Sequence, residues 1–201
     1  VRVKRNVIDR LSRELPYAEG IIGIGTVTDP YQGAEGRFRL TRGCLEVLAR
    51  NDRRIHIHTK SDLVLRDVDI LGGMDCVVGM TITGVDVRRS LMTEPGAPVP
   101  PARLDALSRL VDAGIDAYAL VAPAMSSLNG DEEALVEALK ETGVRRVFVE
   151  GLNLRLVNTD RLDRMGISPS QEVVRRVAGL CESAGLLGKG IVRRYSRQSM
   201  L

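Results

Sequence analysis

Residues 55–82, IHIHTKSDLVLRDVDILGGMDCVVGMTI, read as strand, helix and strand in one run. Ile55 to Thr59 is a short strand. The spacing of Leu63, Val64, Leu65, Val68 and Ile70 predicts a short helix over 62–71, with Ser61 or Asp62 as its N-cap. Cys76 to Ile82 is an apolar strand without clean alternation, the pattern of a parallel sheet covered by helices.

The same order extends in both directions. Upstream, Val3, Val7, Ile8, Leu11 and Leu15 lie at helical spacing until Pro16, and GIIGIGT (Gly20 to Thr26) is a strand in which Gly23 and Gly25 admit another backbone closely. A loop is predicted over 27–36 and a helix over 38–50. Downstream come a helical turn within 84–92, a Pro- and Gly-rich break (TEPGAPVPP, 93–101), a helix over 102–113 and a strand over 115–121. A loop, a helix over 131–142 and a strand over 146–150 follow. Five strands alternating with helices make an α/β chain, either part of a (β/α) barrel or an open doubly wound sheet. Right-handed crossovers then require the five strands to lie side by side, parallel, in sequence order. After Glu150 the strand pattern ceases and a helix is predicted over 171–184. The domain reading is therefore a barrel portion over 1–155 and a helical extension over 156–201. Its basic tail, with Lys189, Arg193, Arg194 and Arg197, reads as solvated.

Composition narrows the function. With 44% hydrophobic and 27% charged residues in a chain of 201, a packed core is expected, and no apolar run approaches the roughly 20 residues of a membrane span. Arg2, Lys4, Arg5 and Arg10 open the chain without an apolar stretch after them, unlike a signal peptide. A net charge of +3 and only four Tyr and two Phe give no support of their own for nucleic-acid binding. Cys44, Cys76 and Cys181 are too far apart in sequence for a disulfide framework or a zinc pattern, so they read as small buried hydrophobes in a reducing cytoplasm. His56 and His58 share one strand face, but no carboxylate or thiol follows at ligand spacing, and no metal is expected there. The G-x-x-G-x-G of Gly20 to Gly25 is not a dinucleotide fingerprint.

In parallel α/β sheets the reactive site lies at the carboxyl ends of the strands. The polar residues there are Thr26, Thr28, Asp29, Tyr31 and Gln32 after the first strand, and Thr59, Lys60 and Ser61 after the second. Thr81 and Thr83 follow on the third, and Glu150, Asn153 and Arg155 on the fifth. Lys60, directly after an apolar strand, is a point cation suited to a carboxylate or a phosphate.

GTVTDPYQ (25–32), LTRGCLEVL (40–48), TKSDLVLRD (59–67), EPGAP (94–98), LVDAGI (110–115) and VFVEGLNLR (147–155) occur in this order. Together they resemble the radical S-adenosylmethionine proteins of the spore photoproduct lyase type, also called DNA repair photolyase-like. The resemblance implies a partial (β/α)6 radical-SAM-type barrel, TIM-like, whose first strand and cluster loop are missing from this chain. In that family a [4Fe-4S] cluster, held by a C-x-x-x-C-x-x-C loop, reductively cleaves S-adenosylmethionine to a 5′-deoxyadenosyl radical. Carried over by motif, Lys60 is the lysine near the methionyl carboxylate. Thr81 and Thr83 fall near the ribose or carboxylate, and Thr28 and Asp29 near the amino group. No C-x-x-x-C-x-x-C occurs among the 201 residues, so the cluster ligands are expected upstream of Val1 and the chain alone is expected to be inactive. S-adenosylmethionine is the implied partner, a nucleic-acid substrate is implied by the family alone, and no membrane contact is expected. An open edge on the first strand would favour self-association. Two other classes compete: a cluster-free barrel that only binds a small molecule or partner, and an unrelated barrel lyase with Lys60 as Schiff base. The last needs a neutral, buried Lys60, whereas the adjacent Asp62 favours the ammonium.

Overall fold

The computed structural model describes residues 3–152 and 159–186. In chain order it comprises α1 (Val7–Glu14), β1 (Ile22–Ile24), α2 (Gly33–Phe38), α3 (Leu40–Arg50), β2 (Ile55–Thr59), α4 (Val68–Leu71) and β3 (Cys76–Thr81). Then follow α5 (Val87–Thr93), α6 (Pro100–Asp112), β4 (Asp116–Ala124), α7 (Glu132–Glu141), β5 (Val147–Gly151), α8 (Thr159–Arg164) and α9 (Gln171–Ser183). All five strands are parallel and lie in the order β1-β2-β3-β4-β5, as the alternating pattern requires. The sheet is open.

Alternation along each strand sets the two faces of the sheet. Ile55, Ile57, Val78, Met80, Ala119, Val121, Val147 and Val149 face the helices. There they share one core with Leu45 and Leu48 of α3, Leu107 and Leu110 of α6, Leu135 and Leu139 of α7, and Val174 and Val177 of α9. Each such aliphatic side chain, fully withdrawn from water, contributes roughly 1.5–3 kcal/mol. The intervening residues His56, His58, Val77, Thr81, Tyr118, Leu120, Phe148 and Glu150 line a cavity of about 730 Å³ on the opposite face. The helix α9 thus packs into the same core as the sheet. The boundary expected near residue 155, with Asn153, Arg155 and the basic tail, lies outside the described residues.

Several boundaries differ from the sequence reading for identifiable reasons. The first helix begins at Val7 and ends at Glu14, ahead of Pro16 as expected, and Pro16 itself sits in a 3-10 turn, Leu15–Tyr17, where its missing N–H costs nothing. The helix expected over 38–50 is α3, which begins at Leu40, and a separate helix, α2, occupies part of the expected loop over 27–36 and ends at Phe38. They break at Arg39, whose φ is 51°, because the Glu35 carboxylate accepts the N–H groups of Thr41 and Arg42 at 2.9 and 3.3 Å. This carboxylate caps α3 from the preceding helix. The segment expected to be a helix over 62–71 is a 3-10 turn, Asp62–Asp67, running into α4; Ser61 caps it by accepting the Leu63 N–H. Beneath it the fully buried Asp67 carboxylate pairs with Arg42 at 2.9 Å and Arg66 at 2.8 Å. Burial raises its pKa, but the hydrogen bonds from Arg66 and Arg42 more than reverse this and hold it below the ordinary carboxylate range.

The strand β1 is shorter than expected because Gly25 leaves extended geometry at φ 93°, lying so close to the His58 carbonyl that a Cβ would overlap it. That contact ties the end of β1 to β2. Among the described residues β1 pairs with β2 alone, which leaves its other edge open. Gly25→Ala is therefore expected to lower the unfolding free energy by about 2 kcal/mol or more, from left-handed strain plus the backbone clash. Urea unfolding followed by circular dichroism measures this; an unchanged midpoint would contradict the close approach.

Candidate functional site

Asp29 organises the rim where β1 and β2 end. Its Oδ1 accepts the Tyr31 N–H at 2.9 Å, closing an Asx turn, and the Thr59 hydroxyl at 2.7 Å. Its Oδ2 accepts the backbone N–H of Lys60 at 2.7 Å. Asp29 thereby fixes the peptide from which Lys60 projects. The Lys60 ammonium, 36% exposed, donates to Glu94 Oε1 at 2.5 Å.

Glu94 is the junction of this rim. Its other oxygen, Oε2, accepts the Thr83 hydroxyl at 2.6 Å and pairs with Arg103 Nη1 at 2.9 Å. Arg103 is fully buried on α6, with Nε donating to the Pro98 carbonyl at 2.6 Å and Nη1 to that of Thr81 at 3.3 Å. Burial alone would raise the pKa of Glu94, but the charge and hydrogen bond of Lys60, the Thr83 hydroxyl and Arg103 together hold it below the ordinary carboxylate range.

Of the five residues singled out in the sequence, four meet at this rim. Lys60 and Thr83 share Glu94, Thr81 gives its carbonyl to Arg103, and Asp29 holds the Lys60 backbone. Thr28 is exposed beside them. Thr81 also lines the cavity. The acidic partner of Lys60 is Glu94, and neither Asp29 nor Asp62 takes its ammonium. Sequence reading passed over Glu94 because it lies in a break between helices. The signal was Arg103, which stands at helical spacing with Ala106, Leu107 and Leu110 on the buried face of α6 and so demands a buried acceptor.

Inside the cavity, the registers set His58, Gly79 and Tyr118 in one row. A Cβ at Gly79 would meet the Tyr118 ring, so the glycine leaves room for that ring to lie over β3. The Tyr118 hydroxyl is 2.8 Å from His56 Nε2 and 3.0 Å from His58 Nε2, and Phe148 stands edge-on to its ring. Burial lowers the pKa of His56, with the charge of Arg146 adding to it, and burial and then His56 lower that of His58. Both imidazoles are neutral near pH 7.

The three thiols are dispersed: Cys44 on α3, Cys76 on β3 and Cys181 on α9. Burial pushes each up to about 11, and Cys76 donates to the Leu71 carbonyl. Among the described residues no group of three or more His, Cys, Asp or Glu side chains is placed to hold a metal ion. None of their helices is long and apolar enough to cross a membrane.

No protein-family model matches the chain. Among curated proteins, an uncharacterized protein of Mycobacterium tuberculosis is 33% identical over 167 residues, covering 77% of this chain and 48% of its own length. One of Methanocaldococcus jannaschii is 33% identical over 156 residues, covering 77% of this chain and 58% of its own length. The chain thus spans about half the length of the curated relatives it matches. Spore photoproduct lyase complexed with dinucleoside spore photoproduct superposes with a TM-score of 0.65 at 13% identity, over 91% of this chain and 65% of the lyase. Streptococcus suis SuiB bound to S-adenosylmethionine superposes with a TM-score of 0.57 at 14% identity, over 84% of this chain and 42% of SuiB. The fold is that of a partial radical S-adenosylmethionine barrel.

Two outcomes follow from this geometry. His56 and His58 are the only histidines of the chain. With folded-state pKa values below their unfolded ones, they contribute stability that is present above the unfolded value and lost as pH falls. Unfolding free energy is expected to decline from about pH 7.5 to about pH 5.5, and the His56→Gln, His58→Gln double variant to flatten that slope. Separately, anaerobic reconstitution of this chain with iron and sulfide is expected to give no stable [4Fe-4S] absorbance. Neutral thiols on three separate elements do not converge on one face of a cluster. A stoichiometric cluster spectrum would contradict it.

Proposed function

We propose that this chain is the S-adenosylmethionine-binding portion of a radical S-adenosylmethionine enzyme of the spore photoproduct lyase-like type. The observation that carries this reading is the Lys60 ammonium, held at the carboxyl end of β2 by the Asp29 clamp on its backbone, in the fold of proteins solved with S-adenosylmethionine bound. In this reading Lys60 takes the methionyl carboxylate, since an ammonium has three donors and Glu94 engages one of them. Thr81, at the cavity side of the same rim, faces the ribose; Thr28 and Thr83 border the head group, and Asp29 positions Lys60. Given one electron from an iron–sulfur cluster, S-adenosylmethionine would release methionine and supply a 5′-deoxyadenosyl radical for hydrogen abstraction. The residues present do not fit an iron–sulfur cluster, so the part assigned to this chain is to bind, orient and enclose the cofactor. The cavity beyond Thr81, with His56, His58, Tyr118 and Phe148, is then the substrate side of the site. A nucleic-acid substrate is supported by the motif resemblance and by the dinucleoside bound to spore photoproduct lyase.

A second reading, a cluster-free barrel that only binds a small molecule or partner, is favoured by the dispersed, neutral thiols. The Schiff-base reading is disfavoured by the partly exposed, ion-paired state of Lys60. Isothermal titration of S-adenosylmethionine into this chain tests the proposal. Binding is expected, and Lys60→Ala should weaken it by about 1.5–3 kcal/mol, the range of a charge-assisted hydrogen bond. Unchanged affinity in Lys60→Ala would remove Lys60 from the site, and no binding would remove the proposal.

A further inference from the structure

His56 and His58 stand on one face of β2, and their rings meet in the cavity wall with centroids 4.4 Å apart. Tyr118 reaches across from β4 and brings its hydroxyl to 2.8 Å from His56 Nε2 and 3.0 Å from His58 Nε2. The same oxygen is 3.2 Å from His58 Nδ1. An oxygen almost equally far from both nitrogens of one ring lies off the axis of either, so it satisfies neither well. A phenol also has one proton to give, which at most one imidazole can receive. Among the described residues the two rings have no other hydrogen-bond partner.

Three donor atoms therefore crowd together in a cavity with more bonding capacity than they can spend on one another. Donors roughly 2.0–2.1 Å from a tetrahedral ion stand about 3.4 Å apart, so the two measured separations need open by only about half an ångström to admit one. The group is held in place: Gly79 vacates the space in which the Tyr118 ring lies, and Phe148 stands edge-on to that ring. Burial keeps both imidazoles neutral, the form that binds a metal. Burial and then the charge of Glu150 raise the pKa of Tyr118, but Glu150 lines the same cavity and its charge favours a cation there. The guanidinium of Arg146, which opposes one, is ion-paired with Asp116.

We propose that His56, His58 and Tyr118 form a three-donor site for a divalent transition-metal ion of the zinc type, with a fourth position open to the cavity. On binding, the phenolic proton of Tyr118 passes to solvent. The open position takes a water or a substrate oxygen, which the ion polarises as a Lewis acid. The site stands apart from Lys60 and Glu94 and does not depend on what the rim binds.

His56 and His58 are the only histidines of the chain, so binding through imidazole reports on this site alone. Calorimetric titration of Zn²⁺ into the untagged chain near neutral pH should show one ion per chain. His56→Gln and His58→Gln should each weaken binding by at least the roughly 10–100-fold that losing even an outer-shell partner costs, and Tyr118→Phe by about tenfold. Equal binding by the His56→Gln, His58→Gln double variant would place the ion on the thiols and overturn the inference. Equal binding by Tyr118→Phe would overturn the three-donor site, and no binding to the unaltered chain would overturn it outright. Should the variants fail to fold, the unaltered chain decides: paramagnetic Co²⁺ should shift the Cε1–H resonances of both histidines, and a shift of one or neither overturns the proposal.

Discussion

One face of the parallel sheet must stay dry, and the period of two along each strand decides which side chains meet it. Isoleucine, valine, methionine and alanine on β2 to β5 turn to the helices, so His56, His58, Thr81, Tyr118 and Glu150 are forced to the other side. A one-residue slip of any strand would reverse both sets. The cavity is thus the complement of the core, produced by the same registers. The contact of Gly25 with the His58 carbonyl and the space at Gly79 are the two places where a side chain would break those registers or displace the cavity wall.

Buried carboxylates hold the molecule together in two different ways. Asp67 lies wholly inside, paired with two arginines that bind α3 to the turn before α4. Removing it would leave Arg42 and Arg66 without their shared acceptor, the situation in which a buried ion pair is most costly to break. Glu94 is anchored with the same economy by Arg103, but on one oxygen only, and presents the other to a half-exposed ammonium. The first arrangement closes a core. The second leaves chemistry at a rim.

The strands β3 to β5 could be found from sequence because each is a largely apolar run bounded by turn residues, β2 from its alternation of Ile with His, and the parallel order followed from chirality. The break at Arg39 was illegible, since a helix cap supplied by Glu35 from several residues upstream leaves no periodic trace. Lys60 was legible from its place after a strand. Its partner was not, because the acid and the lysine are 34 residues apart in sequence and meet through a loop whose Pro and Gly content says only that no regular element continues. An arginine on the apolar stripe of α6 was the one sequence-level trace of that meeting.

The division of labour between the two sheet faces has a consequence for how such a chain can change over generations. Substitutions on the helix side alter close-packed volume and are punished in stability. Residues such as His56, His58 and Phe148 are half-buried in a cavity wall, where replacement leaves the core intact. The cavity can therefore be resurfaced while the rim that holds Lys60 and Glu94 is left untouched, so the shape of the pocket and the charge at its edge can vary independently.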